Sequence, residues 1–475
     1  MNSTIQNNMK KLQDKESQFN LIIAIVSIAI LSFMGILSET GLNICYAVLM
    51  NEFNVSASLI QWLTTGYLLT LAILIPISPV LLKNFRTKRL FQTACTIFIV
   101  GTLFCTFSWN FSILLLGRII QAVGTSIALP LMTNIILEQA PSEQRGYLMG
   151  IVGLVISFAP AMGPVFGGII IELINWHWIF IIMIPFLGGS FILGSKYIID
   201  INLNEKMTLD FFSIFFSAIA FGGIVYGFST SGDTGWSDLK VIFSIGIGIL
   251  SMVAFVYRQL NLKNPLIHVS IFKYPMFSVG VAIVMISMMT VLAAGFLLPL
   301  LLQKSLKFSS LIAALAMLPG AIMNGIMSPI TGKILDKYGP KILLSTGFLL
   351  LTSTLIVFSF INNTFIIIII TYTIFMFAAS MLAMPAQTNG LNQLPRQYNA
   401  DGSAIMNTLQ QVSGAIGTAL ASSILTNRSE VYLHQFSNVT PDIIAQSVAV
   451  GTHKTFIFFL IISFIGFVMA LFTKR

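Results

Sequence analysis

One carboxylate stands apart among the ionisable residues of this 475-residue chain, which contains 16 Asp and Glu residues. The others lie in polar segments or within a turn or two of one, whereas Glu39 lies inside a long apolar run. Burying a charged carboxylate there costs several kcal/mol, and protonation removes that cost. A carboxyl in such surroundings can exchange a proton near physiological pH. Its position predicts a proton-exchange site, with a structural carboxyl held by hydroxyls or amides as the alternative.

Arg118 is the only basic residue well inside an apolar run, and a guanidinium does not lose its proton in proteins. Counted at 1.5 Å per residue from the expected outer helix ends, Glu39 lies roughly 16 Å deep and Arg118 roughly 10 Å deep. We expect the two side chains to meet or to share a water. Protonation of Glu39 would then release Arg118, which makes the pair a switch, although a permanent structural salt bridge fits the same positions.

Four polar or aromatic side chains near these charges are candidates to line a substrate cavity. Asn43 follows Glu39 by one helical turn on the same face, and Gln121 follows Arg118 by three residues. Trp62 and Tyr67 lie in the next apolar run. Aromatic residues at helical spacing more often pack between helices or lie at a membrane interface, so this assignment competes with a structural one.

The fifth apolar run carries a cluster of Pro and Gly residues: Pro160, Gly163, Pro164, Gly167 and Gly168. Glycines four residues apart form a small face that lets two helices approach closely, while the prolines remove backbone donors and bend the helix. Close packing alone explains this pattern. A functional interpretation adds that the bent helix seals the two halves of the protein against proton leakage during a conformational change.

A polar loop late in the chain combines Gly332, Asp336 and Gly339 with flanking lysines. A lone carboxylate in such a loop can dock on the end of a neighbouring helix through charge and dipole, and can release when the protein changes state. The pattern favours a conformational latch over an ordinary solvated turn. A related segment, residues 79–89, occupies the equivalent place early in the chain.

The elements that carry these residues are membrane-spanning helices. Hydrophobic residues make up 56% of the chain and charged residues 9%, against about 25% charged in a soluble domain. The apolar runs are about 20 residues long, enough to cross a hydrocarbon core of about 30 Å, and they do not alternate as the strands of a barrel do. We predict an all-α protein with fourteen transmembrane helices grouped six, two and six. The corresponding segments are residues 1–199 (the N-half), 200–258 (an added helix pair) and 259–475 (the C-half).

The distribution of Lys and Arg predicts the orientation. Most of the 25 basic residues fall in the alternate connections that lie on one side, which places both termini in the cytoplasm by the positive-inside rule. The net charge of +9 then faces anionic lipid, and there is no polybasic arm for a nucleic acid. Two repeated six-helix halves indicate a transporter with its site between the halves, near the midplane.

The sequence does not favour an enzyme or a metal site. Its four histidines are scattered, and no HExxH, GxSxG or Walker A motif is present. We therefore expect no ATP, no metal and no other cofactor. The three cysteines lie in apolar runs and should be free thiols.

These motifs together resemble the major facilitator superfamily, and within it the fourteen-helix drug:proton antiporter-2 family. The likeness is closest to the lincomycin-resistance-type multidrug exporters of Gram-positive bacteria. It is carried by the acidic motif of the first helix, the opening of the second, the proton-coupling motif of the fourth, the antiporter motif of the fifth and the signature that follows it. These are, in order, 39–43, 61–67, Arg118 with Gln121 and Gly124, Gly163-Pro164 with Gly167-Gly168, and 176–180 with Pro185.

The late loop with Gly332, Asp336 and Gly339 keeps the conformational-switch pattern of that family. The early copy departs from it, because Pro79, Lys83 and Arg86 stand where Gly, Asp and Gly are expected. The signature after the antiporter motif also departs, with His177 in place of Arg and Met183 in place of Asn. The early loop therefore lacks the acid that would make it a latch of the usual kind.

The resemblance implies a monomeric, proton-coupled antiporter of the bacterial cytoplasmic membrane that exports amphipathic drugs or related small molecules by alternating access. Its partners would be the small substrate, protons and membrane lipids. The alternative is an exporter of a lipid, a fatty acid or a cell-wall precursor. A membrane receptor that does not transport is a further possibility.

Overall fold

The computed structural model describes residues 2–55, 57–60, 62–200, 210–262, 265–360, 364–436 and 440–473. These residues form helices joined by short connections, and no strand occurs among them. The N-half contains nine helices in the described residues: α1 (Asn2–Asn43), α2 (Tyr46–Phe53), α3 (Ala57–Ile60), α4 (Trp62–Leu74), α5 (Ser78–Asn84), α6 (Thr87–Thr106), α7 (Phe111–Gln139), α8 (Arg145–Leu173) and α9 (His177–Tyr197).

The rest of the described chain continues with α10 (Phe211–Thr234), α11 (Leu239–Asn261), α12 (Pro275–Leu300), α13 (Ser310–Tyr338), α14 (Pro340–Phe360), α15 (Phe365–Ser380), α16 (Ala383–Asn392), α17 (Asn399–Leu433) and α18 (Pro441–Leu471). Several helices of both halves begin after a residue whose side chain accepts a hydrogen bond from a backbone N–H of the first turn. This N–H has no partner within the helix, so the side chain satisfies it. Asn110 does this for α7, Ser309 for α13 and Thr440 for α18.

Twelve helices in the described residues are long and apolar enough to span a membrane, and α8 makes thirteen when its two parts, bent by 45°, count as one span. The predicted class of helical membrane protein is therefore confirmed, while the count of fourteen spans stays a prediction. The 35-residue helix α17 is long enough but is not among the thirteen. It packs against helices of both halves, including α7 and α12, and buries polar residues such as Asn407 and Gln410. These polar residues lower its hydropathy.

Helix packing divides the molecule into two groups. Helix α1 packs against α7, α8 and α9, while α12 packs against α16, α17 and α18. The two groups meet mainly where α8 runs along α13, with further contacts from α17 to α5 and α7. Helices α10 and α11 pair with each other, and α10 also packs against α4 and α17. The added pair thus contacts both groups from outside.

The outer surface of the added pair is apolar. Large side chains such as Phe211, Phe243 and Leu250 are exposed there. In water an apolar surface of this size would drive association, whereas in a bilayer it matches the lipid tails. The helical backbone satisfies its own hydrogen bonds, as a segment surrounded by lipid must.

Candidate proton and substrate site

Arg118 is fully buried in the middle of the N-half, where α7 meets α1 and α4. Its Nη1 donates to Ser38 Oγ on α1 and to Gln121 Oε1, both at 2.9 Å, and its Nε donates to the Leu63 carbonyl at 3.4 Å. The guanidinium carbon lies 4.2 Å from the centre of the Tyr67 ring, a cation–π distance. Buried charge is tolerated here because several donors are satisfied.

One nitrogen of this guanidinium is not satisfied. Nη2 is buried and has no hydrogen-bond partner among the described residues. A buried unpartnered donor costs free energy, and for a charged group the cost is higher than for a neutral one. The site therefore has a free position for an acceptor, and a carboxylate is the acceptor that a guanidinium binds most strongly.

Glu39 lies on the side of α1 that approaches α4 and α7. Gly35, one turn earlier, packs against Tyr67 and Thr125, and Asn43, one turn later, binds Thr64, so at 100° per residue Glu39 lies within about 40° of both. Its side chain is partly exposed, as is that of Asn43. Glu39 is also the sequence neighbour of Ser38, which binds Arg118.

No ion pair joins Glu39 to Arg118 within 4.0 Å in the described structure, in the conformation that it shows. The expected contact between their charges is thus not made here. Arg118 instead binds the residue adjacent to Glu39. Arg118 is thus bonded to the sequence neighbour of Glu39 and not to Glu39 itself, and its Nη2 still lacks an acceptor.

The four candidate cavity residues separate into two kinds. Tyr67 and Gln121 are fully buried: the tyrosine hydroxyl bonds Thr125 Oγ1 at 2.8 Å, and Gln121 Nε2 donates to Thr102. They support Arg118 and touch no open space in this conformation. Asn43 is exposed and accepts a hydrogen bond from Thr64 at 2.6 Å, while the Trp62 ring lies 6.0 Å from that of Tyr226 on α10. Gln61, at the start of the same motif, is outside the described residues.

The glycines of the antiporter motif position α1 beside Glu39. A Cβ at Gly163 would collide with Thr40 and with the Gly41 amide, and a Cβ at Gly167 would collide with the Gly41 carbonyl. The predicted close helix contact is therefore present, but its partner is α1 of the same half rather than a helix of the C-half. Gly168 has open space around it, Pro160 lies at the bend of α8, and the side chain of Pro164 is outside the described part.

The close approach between the halves occurs elsewhere on α8, which the sequence reasoning missed. A Cβ at Gly146 would collide with the Gly332 carbonyl, and a Cβ at Gly150 with the Ser328 carbonyl and Pro329. The signal was available, because Gly146, Gly150 and Gly153 repeat at helical spacing. The seal between the halves therefore lies at the first turns of α8, not at the motif glycines.

The segment predicted as the late loop forms the last two turns of α13 and its end at Gly339, and it docks on α8. We keep the name late loop for this segment. Asp336 accepts hydrogen bonds from the Gly146 and Tyr147 amides at 2.8 and 3.0 Å, at the first turn of α8. A carboxylate is favoured there by the helix dipole. Gly332 touches the Gly146 backbone, and Gly339 ends α13 with φ of +82°, a conformation that favours glycine.

The early loop also reaches across the molecule, through a residue that the sequence reasoning treated as a departure from the pattern. Lys83 Nζ lies 3.1 Å from Asp401 Oδ2 in the first turn of α17, and both side chains are buried. Pro79 is buried in α5, and the exposed Arg86 precedes α6.

Hydrogen bonds between N-half and C-half residues cluster toward one end of the bundle, which we call the inner end and which is the end expected to face the cytoplasm. Besides the two loops, Arg145 donates to Asn392 at 3.0 Å, and Asn399 donates to Glu138 at 2.7 Å. The protein is thus closed at its inner end in this conformation.

The interior of the C-half is polar but uncharged beyond its ends. Gln387, Thr408 and Gln410 are buried, and each has at least one side-chain atom without a hydrogen-bond partner among the described residues. Both the amide nitrogen and the amide oxygen of Gln387 lack one. Sequence reasoning missed these residues because amides and hydroxyls in an apolar helix give a weaker signal than a charge.

The described residues contain no group of three or more His, Cys, Asp or Glu side chains placed to hold a metal ion. The groups that the described site brings together are a carboxyl near a buried arginine in the N-half and, in the C-half, buried amides and hydroxyls.

Comparison with known proteins agrees with this arrangement. Residues 28–418 match the model of the Major Facilitator Superfamily. The lincomycin resistance protein LmrB of Bacillus subtilis is 46% identical over 463 residues, covering 96% of this chain and 97% of that protein. The protein of the same name from Listeria monocytogenes is 44% identical over 453 residues, covering 95% and 96%.

A solved structure shares the fold at low sequence identity. The human organic anion transporter MFSD10 superimposes with a TM-score of 0.62 at 10% identity, covering 93% of this chain and 99% of that one.

Proposed function

Because the chain belongs to the Major Facilitator Superfamily and is a multi-pass membrane transporter of the bacterial cell membrane, we propose that it is a proton-driven antiporter that exports small amphipathic molecules by alternating access. The observation that carries the proposal is Glu39, a partly exposed carboxyl on α1 adjacent to the serine that binds buried Arg118. No ATP, metal or other cofactor takes part, and the unit is a monomer that binds substrate, protons and lipid.

The proton step follows from the open position on Arg118. When Glu39 is ionised, its carboxylate is drawn to the unpartnered Nη2 of Arg118. When Glu39 is protonated, that attraction is lost, and Arg118 keeps its bonds to Ser38, Gln121 and the Leu63 carbonyl. Protonation of Glu39 therefore removes an attraction between α1, which carries Glu39, and α7, which carries Arg118.

The helix contacts carry this change to the rest of the molecule. Gly41 of α1 touches Gly163 and Gly167 of α8, and the first turns of α8 touch α13 in the other half. A shift of α1 must therefore move α8, and a shift of α8 must move the seal between the halves. Tightly packed interfaces move between discrete arrangements rather than deforming continuously.

The membrane arrangement that fits this mechanism has fourteen crossing helices, with α17 as the polar one that is surrounded by protein. Both termini then lie in the cytoplasm, and the chain divides into the N-half (1–199), the added pair (200–258) and the C-half (259–475). Reporter fusions after α16, α17 and α18 test the count, because α17 is the span that apolarity does not identify. The first and last fusions should report the cytoplasm, and the middle one the outside.

The cargo is inferred from the relatives and from the charge of the cavity. Two similar proteins are named for lincomycin resistance, and the face that includes Glu39 offers one carboxyl among amides and hydroxyls. One negative charge suits a neutral or singly positive amphiphile, since a second positive charge would remain uncompensated in a cavity of low dielectric constant.

The test measures the uptake of lincomycin and of a monocationic dye into inside-out vesicles with an imposed proton gradient, which corresponds to export from the cell. Export that persists with ATP absent and collapses with an uncoupler supports the proposal. Glu39→Gln should remove the gradient dependence, and Glu172→Gln, at an exposed acid near the outer end of α8, should not. Gradient-driven export by Glu39→Gln at the wild-type rate would refute the proton site.

A further inference from the structure

A buried ion pair joins the two halves at the point where the early loop departs from the family pattern. Lys83 Nζ lies 3.1 Å from Asp401 Oδ2, and the two side chains are only 5% and 0% exposed. A buried lysine is costly unless it is paired, and so is a buried aspartate. Each residue therefore depends on the other while the inner end is closed.

The two loops make the same contact with opposite charges. In the late loop, the acid Asp336 docks on the first turn of α8, a helix of the N-half. In the early loop, the cation Lys83 docks on the first turn of α17, a helix of the C-half, and the acid Asp401 is supplied by that helix. The helix dipole favours an acid at either place. Two contacts thus close the inner end. In one the loop supplies the acid, and in the other the helix supplies it and the loop supplies the cation.

A third residue holds the same carboxylate. The backbone N–H of His268 donates to Asp401 Oδ1 at 3.3 Å, and its ring Nδ1 lies 3.1 Å from Oδ2. His268 belongs to the segment between α11 and α12, and the neighbouring Ile267 amide donates to Gln259 on α11 at 3.2 Å. The carboxylate is therefore bound both by the N-half and by the segment that leads from the added helix pair.

We propose that Lys83, Asp401 and His268 form a charge-inverted latch, which holds the inner end closed and must break each time that end opens. While the halves touch, removing Lys83 leaves the buried Asp401 carboxylate with only His268 to bind it, and removing Asp401 leaves the buried Lys83 ammonium without an acid. Either change is unfavourable. Once the halves separate, both groups are hydrated, and an ion pair in water is worth little. The latch therefore acts only in the closed state, and each reclosure has to remove the water from both groups before they pair again.

The latch can be tested through the accessibility of a buried reporter, without any transport measurement. Ser403 on α17 is fully buried and donates to the Pro130 carbonyl across the halves at 3.4 Å. A Ser403→Cys variant should react slowly with a membrane-impermeant thiol reagent. The three native cysteines are buried, and the parent chain corrects for their reaction. Inside-out vesicles and intact cells are labelled in parallel, so that the side on which the inner end lies is measured rather than assumed.

Lys83→Met in this background should raise the labelling rate from the inner end at least about tenfold, because Asp401 loses its buried partner. Lys83→Asp should raise it further, because two carboxylates then face each other. Adding Asp401→Asn to Lys83→Asp should lower the rate again. Lys196→Met, an exposed lysine at the end of α9, is the matched control and should label as the parent does.

Labelling of Lys83→Met at the parent rate would overturn the latch. So would a Lys83→Asp rate that Asp401→Asn leaves unchanged, since that result would make Lys83 a packing residue only. Size-exclusion profiles in detergent show which variants fold. Thr133→Cys on α7, fully buried in the parent, serves as a second reporter if the Ser403→Cys variant does not fold.

His268→Ala should raise the labelling rate by less than Lys83→Met does. His434→Ala, at an exposed position, is its control.

The outcome is separable from that of the proposed function, although the latch assumes the alternating access described above. Thiol labelling needs neither a proton gradient nor a substrate. A chain that follows the labelling pattern but shows no gradient-driven export keeps the latch and loses the antiport proposal. A chain that exports normally and labels at one rate in every variant does the reverse.

Discussion

The two halves share a fold but differ in the chemistry of their interiors. The N-half holds a carboxyl and a guanidinium deep in the helices, at Glu39 and Arg118, whereas the described C-half interior holds only amides and hydroxyls beyond its ends. Its buried acid, Asp401, lies in the first turn of α17 and is taken up by Lys83. In the proposed antiporter, the N-half would therefore handle the proton, and the C-half would offer a neutral polar interior.

This difference has a physical cause. A deep charge in a membrane protein is expensive and needs a dedicated set of donors and acceptors. The N-half provides that set through Ser38, Gln121 and the Leu63 carbonyl. Neutral amides cost less to bury and can bind many partners by reorienting. If the proposed function holds, the C-half interior can vary with the cargo, while the N-half interior is constrained by the proton.

The largest effect is expected where the N-half loses its carboxyl. Glu39→Gln keeps the size and polarity of the side chain but cannot exchange a proton, so gradient-driven export should fall about a hundredfold or more, as when a proton-transfer group is removed elsewhere. Substrate binding, measured by dye fluorescence without a gradient, should persist. Loss of both together would mean that Glu39 serves the cargo as well as the proton, and the division between the halves would be less sharp.

A smaller effect is expected from separating α1 from α8. Gly163→Ala places a methyl group against Thr40 and the Gly41 amide, and overpacking of this kind costs about 1–3 kcal/mol. Export should fall about tenfold while the protein still folds. Gly188→Ala on α9, where nothing lies within 4 Å of the added methyl, is the control. Normal export by Gly163→Ala would show that motion of α1 reaches the C-half by another route.

A change in the C-half should alter cargo and leave the proton alone. Gln387→Leu removes two buried polar atoms that lack partners, so the closed state should become more stable by about 1–3 kcal/mol. Affinity for the exported compounds should change, while the pH dependence of export stays that of the wild type. Gln446→Leu, at an exposed position, is the comparison variant, and a shifted pH profile in Gln387→Leu alone would place part of the proton path in the C-half.

The sequence predicted a residue of the site where burying that residue type, or giving it that backbone conformation, costs free energy. Glu39 and Arg118 are conspicuous because a charge in an apolar run needs a reason, and Gly332, Asp336 and Gly339 because each has a backbone or charge requirement that few residues meet. In the structure Asp336 binds the first turn of α8, Gly332 touches the Gly146 backbone and Gly339 ends α13, while their role as a latch stays a prediction. The helical class followed from the length and apolarity of the runs.

What the sequence could not provide was the choice of partner. Lys83 and Asp401 are 318 residues apart, and neither is unusual in its own loop. The glycines of α8 predicted close contacts, but spacing alone does not say which helix is touched. The predicted seal between the halves was therefore placed at Gly163 and Gly167, which in fact touch α1. Helix α17 escapes a count based on apolarity because a helix surrounded by protein can carry polar residues that a lipid-facing one cannot.

The smallest effect is expected outside both halves, where Asp210 and Arg258 join the ends of α10 and α11. Arg258 donates two hydrogen bonds to Asp210, at 2.6 and 2.8 Å, and these lower the pKa of that carboxyl to about 2 from 3.8. A lowered pKa means that the pair stabilises the folded state above pH 3.8 and that this stabilisation is lost as the pH falls toward about 2. Because both side chains are partly exposed, the contribution of the pair to the free energy of unfolding should be about 1 kcal/mol or less.

Arg258→Gln should therefore lower the melting temperature slightly at pH 7. The difference in melting temperature from the wild type should narrow below pH 3.8. Export and its pH profile should stay unchanged. An effect on export as large as that of Gly163→Ala would show that the added pair takes part in the transport cycle, and the comparison would then have to include three regions rather than two.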